Sequence, residues 1–301
     1  MRLPSFMHVG PPRTGTTWLH EVLAGHVGLP TVKETRFFET EFRGEILYGR
    51  GLEWYSRYFA EYPARMVLGE FAPSYFSNAV ARDRIKQDIP DCKIICTFRD
   101  PAARFYSAYR LERALRHPVH GSFDEYWQFL VSCGMDLCSY ATQLRRWQKA
   151  FGKDRVLILF YDDLKADPQN YLSRVCEFIG IPAVSVEGSK VGAKPVFQEW
   201  TAAQPNPAAR AVVSSIYWLS RHGGESILRV GMNTQWRSAI RRAFVTDFEP
   251  LSQTSADEVR HMMLAETEEL EQLTGRDLSK WKPGAPPEGP KSAARATLGR
   301  A

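Results

Sequence analysis

A chain of 301 residues with 44% hydrophobic and 12% aromatic content has enough apolar material for one large α/β core or two small domains. No internal repeat or linker precedes the C-terminal stretch, which favours one. The net charge of +5 and pI near 8.9 suit a polyanionic ligand, and no basic block interleaved with aromatics points to nucleic acid. No run reaches the length of an integral membrane segment. The N-terminus enters its first strand without the n- and h-regions of a signal peptide, so the expectation is a cytoplasmic protein. Cys92, Cys96, Cys133, Cys138 and Cys176 lack metal-ligand spacing, and the two that flank or lie within an apolar strand read as buried free thiols.

The first element is an apolar strand, Phe6-Met7-His8-Val9, meeting Gly10-Pro11-Pro12-Arg13-Thr14-Gly15-Thr16-Thr17 and then a helix with Trp18, Leu19, Val22 and Leu23 at helical spacing. A strand-loop-helix of this kind turns backbone N–H groups toward one point at the positive end of the helix dipole, where a phosphate binds. Gly10-x4-Gly15 has P-loop spacing, but Thr16 stands where a nucleoside triphosphatase has lysine. The plainer reading is a glycine turn, which has no need of Arg13 and three threonines around one glycine. A phosphorylated ligand other than a nucleoside triphosphate follows.

A second strand is predicted at Leu29–Val32, ending at Lys33-Glu34-Thr35-Arg36-Phe37-Phe38. From Glu39 to Pro63 the glycines Gly44, Gly49 and Gly51 interrupt any long helix, and the aromatic content reads as a lid or substrate-facing insertion. A third strand is Met66–Glu70, then a helix runs to Pro90. The fourth strand, Lys93–Phe98, closes on Arg99-Asp100-Pro101, with Asp100 as N-cap and Pro101 at the first helical position. A helix through Ser107 and Tyr109 toward Leu115, another over Tyr140–Phe151, a fifth strand at Val156–Tyr161 and a helix capped by Asp167-Pro168 and ended by Gly180 complete the core. Residues 183–250, broken by prolines and glycines, are expected to close over the ligand. A capping box of Ser255 and Glu258 starts a helix carrying Val259, Met262, Met263, Leu270 and Leu273.

The alternation gives an α/β fold, one domain with a central parallel sheet flanked by helices in a P-loop nucleotide-hydrolase-like architecture over residues 1–282, and a disordered tail over 283–301. The phosphate loop, Glu34, Glu70 and Arg99 all follow strand ends, so they face one crevice. Arg99 with Ser107 can clamp a second phosphate, unless Arg99 merely pairs with Asp100 or a surface carboxylate. Glu34 is the candidate base for an acceptor hydroxyl, unless it only pairs with Lys33 or Arg36. Glu70 reads as support for the crevice. Trp18 and Tyr161 each read as core or as stacking partners for a base. Phe37, Phe38, Trp54, Tyr55 and Tyr58 read as a pocket lining or as core.

These residues resemble the sulfotransferases that use 3′-phosphoadenylyl sulfate, PAPS. Pro12-Arg13-Thr14-Gly15-Thr16-Thr17-Trp18 is similar to their 5′-phosphosulfate loop, and Arg99-Asp100-Pro101 through Ser107 and Tyr109 to their 3′-phosphate motif. Lys33-Glu34-Thr35-Arg36-Phe37-Phe38 resembles the segment that carries the glutamate base in glycosaminoglycan-type members. Further similar stretches are Phe160-Tyr161-Asp162-Asp163-Leu164 and Leu273-Thr274-Gly275-Arg276-Asp277-Leu278. The resemblance implies sulfuryl transfer from PAPS to a hydroxyl or amine of a small-molecule or carbohydrate acceptor, releasing 3′,5′-ADP without a metal. It assigns Glu34 as base, Arg13 and the loop donors to the leaving phosphate, Arg99 and Ser107 to the 3′-phosphate, and Trp18 and Tyr161 to adenine. The chain departs from the family pattern at Arg13, where members usually have lysine, at Arg36, often histidine, and at Phe71, often lysine. The rival readings are a small-molecule kinase and a non-catalytic nucleotide-binding module.

Overall fold

The computed structural model describes residues 1–41, 46–115, 120–133, 137, 139–187 and 249–287. The runs richest in apolar and β-branched residues form a parallel sheet of β1 (Phe6–Gly10), β2 (Gly69–Phe71), β3 (Lys93–Phe98) and β4 (Val156–Phe160), in the spatial order β2-β1-β3-β4. Met7 lies opposite Glu70 on one side and Ile94 on the other, and the β1–β3 register shifts between His8 and Gly10, where the chain leaves the sheet. In chain order the helices are α1 (Thr16–Leu23), α2 (Gly51–Ser56), α3 (Ala79–Asp88), α4 (Pro101–Leu115), α5 (Phe123–Ser132), α6 (Tyr140–Phe151), α7 (Tyr161–Ala166), α8 (Pro168–Ile179), α9 (Gln253–Met262) and α10 (Leu264–Thr274).

Both sheet faces are covered, which is why the strands read as continuous apolar runs. Ile94, Cys96 and Phe98 of β3 join Met7, Val9 and α6 residues Leu144 and Trp147 in one cluster. Ile95 joins Phe6, Phe71, Leu159, α1 and α8 in the other, as the two-residue period of a strand requires. A third cluster packs α5 and α9 on α4 through Ala102, Phe105, Trp127 and Val259. Beside it, Arg260 of α9 reaches Asp100 with two nitrogens, at 3.2 and 2.7 Å, and both side chains are almost wholly buried. Asp100 also caps α4, accepting from the Ala102 N–H at 3.3 Å. No described helix is long and apolar enough to cross a membrane.

The structure corrects several sequence expectations. Leu29–Val32 is not a strand: Gly28 makes an isolated bridge to Leu68, Pro30 has no N–H to extend it, and Val32 is half exposed. The described sheet therefore has four strands rather than five. Helix α5 has no counterpart in the sequence reading. The C-terminal helix starts at Ser252, whose hydroxyl accepts from the Ser255 N–H at 3.0 Å, so Ser255 is internal, and the chain breaks at Met263 into α9 and α10. Cys92, Cys96 and Cys176 are buried free thiols but Cys133 is exposed; burial pushes the Cys92 and Cys96 thiols up. The start of the predicted tail is held on α9, with Gly284 N–H on Asp257 at 2.8 Å and Ala285 accepting from Gln253 at 3.0 Å. Residues 288–301, Cys138 and the closing segment at 188–248 lie outside the described residues.

Candidate active site

The order β2-β1-β3-β4 makes β1 and β3 neighbours whose partners lie on opposite flanks. Beyond their carboxyl ends is the crevice where open α/β sheets take ligands. The loop after β1 and Arg99 after β3 both lie at those ends, and Arg99 reaches the loop. Two glycines shape that loop. A Cβ on Gly10 would sit 2.6 Å from the Pro73 carbonyl oxygen, and one on Gly15 2.7 Å from Leu164, and both glycines have left-handed φ, 109° and 89°. The chain thus approaches its neighbours more closely than any side chain would permit. Pro11 and Pro12 have no N–H, so the donors of the loop begin at Arg13.

Arg13 itself has a left-handed backbone, φ 72°. Its carbonyl accepts from Arg99 Nη1 at 3.3 Å, and its Nε and Nη2 both donate to Ser107 Oγ on α4 at 3.3 Å. The phosphate loop, the end of β3 and α4 are joined at this point, so residues of the two predicted anion motifs are in contact. The Arg99 guanidinium lies over the Tyr161 ring, 4.4 Å from its centre. Burial, with repulsion from Arg99, lowers the Arg13 pKa to about 10. Burial together with the field of Arg99 also lowers that of Arg110, one turn beyond Ser107.

On the other side of the loop stands Lys33. Its ammonium donates to Thr17 Oγ1 at 2.9 Å, reaches Thr16 Oγ1 at 3.5 Å and lies 3.9 Å from Glu34 Oε1. Burial lowers its pKa; Glu34 opposes that shift and Arg13 adds to it. Arg36 Nη2 lies 3.6 Å from the second Glu34 oxygen. Glu34 thus has both cationic neighbours that the sequence offered as its alternative partners, one of which also rests on the phosphate loop.

The Glu34 segment is held by Glu70. Glu34 and Arg36 both have left-handed backbones, φ 64° and 57°, each costing on the order of 1–3 kcal/mol for a residue with a side chain. Between them the Thr35 N–H and hydroxyl donate to Glu70 Oε1 at 3.1 and 2.6 Å. Tyr75 donates to the same oxygen at 3.3 Å and Tyr55 to the other. Burial raises the Glu70 pKa against the pull of these four donors. The support role read from the sequence is the one the structure shows.

Other predicted residues are placed differently. Thr14 is fully buried and its hydroxyl donates to the Pro11 carbonyl at 2.8 Å, so it fixes the loop and leaves only its N–H for a ligand. Trp18 takes the core alternative, 2% exposed and edge-on to Tyr171, because the helix spacing that places it after the loop also turns it onto α8. Tyr161 is buried beneath Arg99 and orients that guanidinium. The Arg13 side chain, assigned by resemblance to the leaving phosphate, is turned to Ser107 instead. Phe37, Phe38 and Tyr55 are core, whereas Trp54 and Tyr58 line a cavity of about 200 Å³ with Thr31, Arg57, Glu61 and Tyr62. Sequence reasoning singled out neither Lys33 as a partner of the loop hydroxyls nor Arg110 as a charge near Arg99. Lys33 stood out only as a partner for Glu34, and the Ser107–Arg110 spacing of one helical turn was the available signal for the other.

A family profile described as "Sulfotransferase domain" matches residues 3–262. The chain belongs to the sulfotransferase family. The solved structure of a sulfotransferase from Alicyclobacillus acidocaldarius superposes with a TM-score of 0.64 over 93% of this chain and 99% of that one, at 20% identity; the likeness is one of fold. By sequence the chain is 30% identical over 201 residues to human bifunctional heparan sulfate N-deacetylase/N-sulfotransferase 3, covering 60% of this chain and 22% of the relative. It is 29% identical over 199 residues to mouse bifunctional heparan sulfate N-deacetylase/N-sulfotransferase 1, with the same coverage. This sulfotransferase thus spans less than a quarter of those relatives' length.

Proposed function

We propose that this sulfotransferase moves a sulfuryl group from PAPS to a hydroxyl or amine of a small-molecule or carbohydrate acceptor and releases 3′,5′-ADP. The observation that carries the reading is the junction beyond β1 and β3, where Arg13 meets Ser107 and Arg99 reaches the Arg13 carbonyl while Lys33 rests on the Thr16 and Thr17 hydroxyls of the phosphate loop. Gathering like charges is costly unless an anion answers them. A nucleotide bearing phosphates at 3′ and 5′ answers both ends, and the glycine-shaped loop fits the 5′ end.

Bound PAPS would supply the activated sulfuryl group. Glu34 takes the proton that the acceptor loses as its oxygen or nitrogen bonds to sulfur. The N–H groups at the start of α1, with the Thr16 and Thr17 hydroxyls, hold the negative charge left on the phosphate oxygen when the sulfur–oxygen bond breaks. Arg99, Ser107 and Arg110 fix the far end, which is positioning work of the kind that dominates group transfer between phosphate-like centres. The cavity beside Thr31, with Trp54 and Tyr58 as apolar walls and Arg57 and Glu61 as polar ones, is the acceptor pocket of this reading, Thr31 preceding Glu34 by three residues.

The test is mass-resolved sulfate transfer from PAPS to a mixed library of sugars, phenols, lipids and natural-product scaffolds. The unaltered protein is expected to yield a sulfated product. Glu34→Gln should slow that product by about 10²- to 10⁴-fold while 3′,5′-ADP still binds. Tighter binding of ATP with Mg²⁺ than of 3′,5′-ADP, or nucleotide binding without transfer to any acceptor, would refute the proposal.

A further inference from the structure

Two neighbours on α2 have different surroundings. Trp54 walls the cavity that includes Thr31, Arg57 and Tyr58, whereas Tyr55 is wholly buried and its hydroxyl donates to Glu70 Oε2. The other Glu70 oxygen takes the Thr35 N–H at 3.1 Å, the Thr35 hydroxyl at 2.6 Å and the Tyr75 hydroxyl at 3.3 Å. Burial and the charge of Glu70 push the Tyr55 and Tyr75 hydroxyls well above their usual range, so both remain protonated donors.

The packing of the Tyr55 ring does not require its hydroxyl. The ring stacks on Phe37 with centroids 4.5 Å apart and planes at 13°, and Phe37 also lies against Trp54 at 6.1 Å and 22°; a phenylalanine would make the same contacts. Taking a hydroxyl out of water costs free energy unless it finds a partner, so the use of tyrosine here is the bond to Glu70. Glu70 in its turn holds Glu34-Thr35-Arg36, whose first and last residues have left-handed backbones and whose Thr35 hydroxyl also accepts from the Phe37 N–H at 3.3 Å. Residues with side chains keep such a conformation only where their surroundings over-determine it.

We infer that Tyr55 is a positioning residue for the transfer step, fixing the Glu34 turn, through Glu70 and Thr35, to the helix that walls the acceptor cavity. The inference rests on the reading of Glu34 as the base and of the cavity as the acceptor pocket. One helix then sets both the cavity wall, by Trp54, and the base, by Tyr55. A base must lie within hydrogen-bond reach of the proton it takes, and a displacement of about 1 Å caused by a residue remote from the chemistry costs on the order of 100-fold in rate. Tyr48 offers a contrast within the same aromatic cluster. Its ring packs on Phe37 and Phe38 at 5.5 and 6.2 Å, but its hydroxyl goes to Asp88 at the end of α3, at 2.9 Å.

Initial rates with the acceptor sulfated in the library assay test this. Tyr55→Phe, which deletes the hydroxyl and keeps the ring, is expected to lower kcat by about 10- to 100-fold and to leave 3′,5′-ADP affinity within about twofold. Thr35→Val should do the same. Tyr48→Phe, which removes the same group from the same cluster, should lose stability in urea and keep kcat. The deciding comparison is made in Glu34→Gln: there Tyr55→Phe should change the residual rate by less than about twofold, because a residue that acts through Glu34 has nothing left to position. Full kcat in Tyr55→Phe, an equal loss in Tyr48→Phe, loss of 3′,5′-ADP binding in step with kcat, or the same fold loss with and without Glu34 would overturn the inference. An unaltered rate in Glu34→Gln would instead overturn the reading of the base beneath it.

Discussion

His8 shows how a single buried residue ties the centre of the sheet to solution conditions. Its ring stacks on Phe71 at 5.4 Å and its Nε2 meets Thr97 Oγ1 at 3.0 Å, which in turn contacts the Tyr171 hydroxyl at 2.7 Å. Burial, with the field of Lys33, lowers its pKa to about 3 from 6.5. A histidine held neutral in the folded state contributes stability that is fully present above pH 6.5 and is lost as pH falls toward 3. At pH 5 the loss is about 2 kcal/mol, from 1.36 kcal/mol for each pH unit below the unfolded value. Denaturant unfolding of the unaltered protein and His8→Gln should show this as a decline between pH 7 and pH 5 that is steeper in the unaltered protein; parallel declines would contradict it. The sequence places His8 inside the first strand but says nothing of its partners, since Thr97 and Tyr171 come from 89 and 163 residues away.

At the scale of elements, the pair Asp100–Arg260 connects the helix that begins after Arg99 to α9. Asp100 caps α4 and accepts both Arg260 contacts in a site almost closed to water. Removing one member of such a pair leaves a charge buried and unanswered, at a cost of about 3–5 kcal/mol, whereas replacing both with uncharged groups costs far less. Urea unfolding should therefore place Arg260→Met well below Asp100→Asn/Arg260→Met in stability. Equal loss in the two would mean that the pair is not what holds α9 to α4. Asp100-Pro101 was legible as a helix start because capping is local; its partner 160 residues on was not. The same contrast runs through the other elements. β1, β3, β4 and α6 could be read because each buries a face whose period is written in consecutive residues. Leu29–Val32 had strand-like composition with no neighbour to pair fully with, and α5 was missed although Ser122 and Glu125 carry a local cap, with the Glu125 N–H on Ser122 at 3.2 Å.

For the whole molecule, the proposed seat of one ligand with two phosphates is the region beyond the ends of β1 and β3. Its two ends were legible as separate motifs, Thr14–Thr17 and Arg99 with Ser107, because each is a short pattern with a physical use. What the sequence could not supply was which side chains meet, since Arg13 meets Ser107 and Lys33 meets Thr17 only after the sheet has formed. The most direct test is a structure of the protein with 3′,5′-ADP bound. The 5′-phosphate is expected within hydrogen-bond distance of Thr16, Thr17 and the α1 N-terminus, and the 3′-phosphate on Arg99 and Ser107. A nucleotide with its 3′-phosphate at Thr16 and Thr17, or with either phosphate left in solvent, would contradict that placement.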